Sequence, residues 1–248
     1  MIGLQELEKY TNELLRIEQF NDYAPNGLQV EGRPRVAKIA TGVTACQALL
    51  EQAIDWGADA VLVHHGYFWK GENDAIVGIK QRRIKSLLSA DISLLGYHLP
   101  LDAHLDLGNN AQLARLLGFE IQETFANGIG FIGELQQPCE GEVLAQRINS
   151  SLCRKPLHIA GNENVITKIA WCSGGAQGYL AEAAKLGADA YITGEASEQS
   201  YHLAMEMGVH FYAAGHHATE RYGVQALGEH LSEQFSLEHR FFEIANPI

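Results

Sequence analysis

The chain is expected to fold as an α/β protein made of two similar, duplicated α/β domains, and three observations predict this. Residues 38–66, KIATGVTACQALLEQAIDWGADAVLVHHG, are echoed by residues 168–196, KIAWCSGGAQGYLAEAAKLGADAYITGEA. Each copy reads Lys-Ile-Ala, a turn, Gln, a helix closing on Gly-Ala-Asp-Ala, and a short apolar run. That is the pattern of a strand, a helix and a parallel strand. Each copy then offers a further strand whose tip carries a His and, four residues on, a carboxylate: His98 and Asp102 in GYHLPLD, His216 and Glu220 in GHHATE.

The elements follow in order. Leu4, Leu7, Leu14 and Leu15 recur at helical spacing and predict an amphipathic opening helix over 4–17. Residues 22–32, DYAPNGLQVEG, are rich in turn formers and lead into a strand over 36–41. Residues 45–56 read as a helix closed by Gly57, where a left-handed cap is usual, and 60–63 as a buried parallel strand. A helix over 80–90, a strand over 92–97 and a helix over 109–117 capped by Gly118 complete a first domain, 1–127. A second domain, 128–248, is expected to begin past Asn127 with a strand over 131–135, a helix over 141–152 and a strand over 157–160. The second copy then supplies helices over 179–186, 201–207 and 224–234 and strands over 190–193 and 209–213.

The formal charge of −12 argues against a general basic surface for duplex DNA or an anionic membrane. A local nucleotide site stays compatible with it, because bound divalent cations invert the sign of one pocket. Cys46, Cys139, Cys153 and Cys172 form no C-x-x-C pair and read as reduced structural thiols of an intracellular protein. The N-terminus is polar and no run approaches the ~18 apolar residues of a membrane span, so a cytoplasmic protein is expected.

Ligands of open α/β sheets gather beyond the carboxyl ends of the strands, where the polar tips fall. His64 and His65 follow one apolar strand, and Gly66 lets the chain turn so that both imidazoles can face one cavity. His216 and Glu220 share a face if a helix starts at their tip, and His98 and Asp102 repeat the spacing. An isolated His-His or His-x-x-x-carboxylate is usually a solvated surface feature. Three such tips at equivalent points of a duplicated scaffold instead point to a metal site between the domains. His104 and Asp106, near Asp102, are candidates to orient a ligand, and His217 is a candidate general acid or base. Glu195 and Glu198 are candidates to hydrogen-bond a ligand or substrate, and the Gly174-Gly175 turn is a weak candidate phosphate cradle. His158, His202, His210, His230 and His239 lack a carboxylate at ligand spacing and read as surface or packing residues.

The segments NGLQV (26–30), GVTA (42–45), GADAVLVHHGYFWKG (57–71), YHLPLDAHLDLGNN (97–110), ITGEASEQ (192–199) and GHHATER (215–221) together resemble the GTP cyclohydrolase 1 type 2 homologues, also called NGG-one-interacting-factor-three-like or dinuclear metal-centre proteins. The resemblance covers essentially the whole chain and points to the short bacterial branch. It implies two similar α/β domains, a two-metal site between them and a ring-shaped homohexamer. By position it places the metal ligands on His64, His65, Asp102, His216 and Glu220, and leaves His98 as a catalytic or ligand-orienting group. The chain departs from the family at Tyr23-Ala24-Pro25, where many members have Trp-Asp, and at His217, where many have an aromatic.

The expectation is therefore a metal-dependent hydrolase of the cyclohydrolase type acting on a nucleotide or damaged nucleotide. It would carry two divalent ions per subunit, iron, zinc or manganese, with His98 or His217 moving protons. The alternative is a non-catalytic hexameric metal-binding scaffold for a partner protein or single-stranded nucleic acid.

Overall fold

A computed structural model describes residues 1–248. The chain forms two compact α/β units, one comprising Met1–Leu101 and Gly223–Ala245, the other Asp102–Tyr222 and Asn246–Ile248. Each has at its centre the three-stranded parallel core that the duplication implies. In the first unit, Lys38–Thr44, Ala60–His65 and Ser93–Gly96 run parallel, with helices Gln47–Trp56 and Gly78–Ala90 as the crossovers. In the second, Ile166–Trp171, Ala190–Thr193 and His210–Ala213 run parallel, crossed by Leu180–Lys185 and Glu198–Met207.

The repeated Gly-Ala-Asp-Ala has the same structural cause in both units. One oxygen of Asp59 accepts the backbone N–H groups of Ala37 and Lys38 at 2.7 and 2.9 Å, while one oxygen of Asp189 accepts those of Thr167 and Lys168 at 2.9 and 2.8 Å. Each aspartate thus satisfies donors at the entry of the neighbouring strand, which would be costly to bury unpaired. The glycine before it closes the helix; Gly57 takes φ +75° as the left-handed cap. Ile39, Leu62 and Leu95 in the first sheet and Ile169, Trp171 and Ile192 in the second are fully or almost fully buried, so both parallel cores are covered on their faces.

The edges differ from expectation in part: the strands expected over 131–135 and 157–160 are present, whereas Gly27–Val30, Phe119–Phe125 and Glu238–Phe241 are additions. The first sheet is extended by Gly27–Val30, antiparallel to Ser93–Gly96, and by Glu238–Phe241, parallel to Lys38–Thr44. The second gains Phe119–Phe125 and Gly130–Cys139 on one side and Leu157–Ile159 on the other, all antiparallel to their neighbours. The boundary consequently falls at Leu101/Asp102 and Tyr222/Gly223 rather than near Asn127. Residues 119–125 pair directly with 130–139, so a division at 127 would cut a hairpin, and the C-terminal strand returns to the first sheet. Asp102 therefore belongs to the second unit. No helix is long and apolar enough to cross a membrane.

Candidate metal centre

In the first unit the strand Ala60–His65 continues through both histidines instead of stopping at Val63, and Gly66 follows as the turn. The ring centroids of His64 and His65 lie 4.6 Å apart, with His98, two residues beyond Ser93–Gly96, at 5.1 and 5.8 Å from them. One donor nitrogen from each of the three imidazoles falls within a 4.8 Å cluster. His98 thus joins the two predicted ligands at the carboxyl edge of the sheet.

Each ring is oriented through Nδ1. His64, 1% exposed, places Nδ1 2.9 Å from the Tyr97 carbonyl, which can only accept, so Nδ1 carries the proton and Nε2 the lone pair. His65 Nδ1 lies 3.1 Å from Thr44 Oγ1 and His98 Nδ1 2.7 Å from Asp22 Oδ1. Burial alone would raise the Asp22 pKa, but His98, Asn26 and the Leu99 N–H outweigh it and bring it down to about 2. The NGLQV segment does the rest. Asn26 donates to Asp22 at 2.9 Å and accepts the His98 N–H at 2.8 Å. Gln29 accepts the Tyr67 N–H at 2.7 Å and packs so closely on Gly66 that a Cβ there would overlap its amide. Asp22, Asn26 and Gln29 were not singled out by sequence reasoning; the NGLQV motif was the only signal for the latter two.

In the second unit, Asp102 is buried, its Oδ1 accepting from Asn109 Nδ2 and Ser173 Oγ, both at 2.9 Å. A donor oxygen of Asp102 and one of Glu220 lie within 4.8 Å of each other. As the tip spacing predicted, helix His216–Thr219 begins at the strand end and brings His216 Nε2 to 3.1 Å from Glu220 Oε2. Glu220 is 3% exposed and lies against Gly174, whose φ is +66° and where a Cβ would overlap Glu220 Oε1. His216 Nδ1 meets Glu195 Oε1 at 2.6 Å. Burial depresses the His216 pKa, but Glu220 first and Glu195 next outweigh it and raise it to about 9. The imidazolium is held between two carboxylates. Cys172 is kept a thiol by burial and by the charges of Asp102 and Glu220.

Other candidates are reassigned. Gly174-Gly175 is not a phosphate cradle: the Gly174 N–H donates to Thr219 Oγ1 at 3.0 Å and the turn packs against the Glu220 and Glu195 carboxylates. His104 Nδ1 accepts the N–H groups of Asp106 and Leu107, clipping its own loop, and Asp106 is an exposed partner of Arg115. Glu198 pairs at an exposed 3.4 Å with His202, which therefore does have a carboxylate at ligand spacing. His217 is buried beside His216 and its backbone N–H donates to the Ile248 carbonyl at 3.0 Å. His158 and His210 stack on Tyr212, His230 meets the Tyr10 hydroxyl, and His239 meets Thr41.

Known proteins are similar to this chain along its whole length, in sequence and in fold. A relative in Pseudomonas aeruginosa named GTP cyclohydrolase 1 type 2 homolog is 54% identical over 250 residues, covering 99% of both chains. One of the same name in Escherichia coli K12 is 55% identical over 243 residues, covering 98% of each. A solved structure of the protein ybgI, described as of unknown function, superposes with a TM-score of 0.98 at 54% identity over all of both chains. The family model of Duf34/NIF3, NGG1p interacting factor 3, matches residues 2–247. With nearly every residue matched and the sequence motifs lying at the carboxyl edges of two duplicated sheets, the chain belongs to the Duf34/NIF3 family.

Proposed function

We propose that the chain is a metal-dependent hydrolase of the GTP cyclohydrolase type, in which His64, His65, Asp102, His216 and Glu220 hold two divalent ions for work on a nucleotide or damaged nucleotide. The observation that carries this reading is the preparation of the donors. The Nδ1 atoms of His64 and His65 are engaged with Tyr97 and Thr44, which fixes each ring, while His216 is set between Glu195 at Nδ1 and Glu220 at Nε2. Two buried carboxylates within 4.8 Å, Asp102 and Glu220, favour positive charge beyond the His216 imidazolium that already meets Glu220 at 3.1 Å. Gly174 leaves the room that the Glu220 carboxylate needs. Imidazole nitrogens with carboxylate oxygens suit iron, zinc or manganese.

Two such ions, when bound, supply a water acidified toward neutrality and a clamp on the reacting group. The chain's own residues position and move protons. Asp22 holds His98 by Nδ1, so that its other nitrogen can take and return a proton; His217 is the second candidate for that role. For a guanine nucleotide, water would add to the carbon between the two nitrogens of the five-membered ring, and the ring would open on proton transfer to nitrogen. The relatives' name, GTP cyclohydrolase 1 type 2 homolog, supports a nucleotide as substrate. The family resemblance also supports a closed homohexamer.

The test is turnover of a nucleotide panel by protein reloaded with iron, zinc or manganese, read by chromatography. A ring-opened or hydrolysed product that disappears in His98→Ala supports the reading. Fully loaded protein that turns over none of the panel would overturn it in favour of a non-catalytic metal-binding scaffold.

A further inference from the structure

We propose that Trp69 and Tyr23 form a stacking subsite for a planar heteroaromatic ring beside His64, His65 and His98; this deepens the reading above and rests on it. The segment after the histidines is built to turn aromatic side chains outward. Tyr67 is pinned inside, its hydroxyl donating to the Ala45 carbonyl at 2.8 Å and its N–H to Gln29 at 2.7 Å. Phe68, the next residue, takes φ +65°, a left-handed conformation in which a bulky side chain is strained. Strain of this kind persists where surrounding contacts enforce it, and it clusters at functional sites. Here the Lys80 ammonium sits 4.9 Å over the Phe68 ring and 3.3 Å from Glu72. The chain thereby reverses, and Trp69 Nε1 donates back to the Gly66 carbonyl at 3.2 Å.

The consequence is an indole set against the donor cluster. The Trp69 ring lies 5.0 Å from that of His98, edge to face at 81°, and 5.9 Å from that of His65. Tyr23 comes to the same imidazole from the other loop, 6.2 Å away, with 60% of its surface exposed. The Lys70 N–H donates to the Tyr23 carbonyl at 2.6 Å and ties the two loops together. Two aromatic rings thus approach His98, one half-buried and one exposed, at a sheet edge that already carries three imidazoles. Aromatic surface held at such an edge rewards a flat π-system, whatever its substituents, and offers little to a phosphate. The ligand class is therefore one with a purine-like or other nitrogen-containing aromatic ring. Neither residue is a metal ligand.

The probes are guanosine, adenosine and ribose 5-phosphate, titrated calorimetrically into full-length protein, with metal content measured on the same samples. The nucleosides are expected to bind and ribose 5-phosphate to bind far more weakly. Trp69→Leu should weaken nucleoside binding about tenfold or more with metal content unchanged, and Tyr23→Ala should act in the same direction. Trp69→Phe keeps an aromatic face but loses the bond to Gly66, so it should bind within about threefold of the parent if stacking is the role. Equal binding of guanosine by the parent and Trp69→Leu would overturn the subsite, as would ribose 5-phosphate binding as well as guanosine, or Trp69→Phe falling as far as Trp69→Leu. Parent protein that takes up no metal yet shows this pattern would refute the metal reading alone.

Discussion

Glu195 Oε1 lies 2.6 Å from Nδ1 of His216, whose other nitrogen is 3.1 Å from Glu220 Oε2. The two carboxylates raise the His216 pKa from 6.5 to about 9, so without metal the ring is charged at neutral pH. A cation competes with that proton. Metal uptake at pH 7 to 8 is expected to release a proton from His216, and affinity should rise with pH until about 9. In metal-free protein the sign is opposite. A pKa raised on folding contributes stability that is fully present below about 6.5 and is lost as pH climbs through about 9. Calorimetry in buffers of different ionisation enthalpy checks the first expectation, and denaturation of apo-protein across that window checks the second. Glu195→Gln should also weaken metal binding by about tenfold or more in a chelator competition.

Gly174→Ala would set a Cβ against Glu220 Oε1 at a residue whose φ is +66°. It should reduce metal occupancy strongly and destabilise the fold by about 1–3 kcal/mol. Gly57→Ala is the control, since φ is +75° but nothing lies within 4 Å. It should cost about 1 kcal/mol and leave metal content unchanged. Metal analysis beside urea denaturation separates the two effects; equal occupancy in both variants would count against the Glu220 contact.

The Asp22 side chain is 3% exposed and accepts from the Leu99 N–H, the Asn26 amide and the Nδ1–H of His98. Asp22→Ala would leave these donors without their acceptor, at about 1–3 kcal/mol of stability. Because the carboxyl is depressed from 3.8 to about 2, its contribution is present above about 4 and is lost as pH falls through about 2. Acid denaturation should therefore show a component in that interval that Asp22→Asn removes. If His98 carries protons, Asp22→Asn should lower kcat more than it raises KM, which steady-state kinetics on any active substrate would read.

The proposed homohexamer should scatter light with about six times the 27.2 kDa chain mass, independent of dilution. A concentration-independent monomer would exclude it.

The parallel cores were legible because Gly-Ala-Asp-Ala and its flanking apolar runs encode local events, a helix stop and a buried strand, and Asp59 and Asp189 repeat the same bonds. Of the outer strands, those at 130–139 and 157–159 were legible, but Gly27–Val30, Phe119–Phe125 and Glu238–Phe241 were not. Phe119–Phe125 and Glu238–Phe241 are polar at most positions, and what holds them is pairing with partners chosen by the rest of the fold. The candidate site divides the same way. His64, His65, His98, Asp102, His216 and Glu220 stand at or just beyond strand ends, where sequence pattern says ligands gather. The residues that orient them lie far off in the chain: Asp22 is 76 residues from His98, and Ser173 is 71 from Asp102. Periodicity carries no trace of such pairings.

The most direct test of the metal reading is the stoichiometry of protein purified without chelator and reloaded with iron, zinc or manganese, measured by mass spectrometry and by anomalous scattering from crystals. About two ions per chain are expected, falling to one or fewer in His65→Ala and Glu220→Ala while far-ultraviolet circular dichroism stays unchanged. Parent protein that retains no metal after reloading, or variants that keep full occupancy, would contradict it.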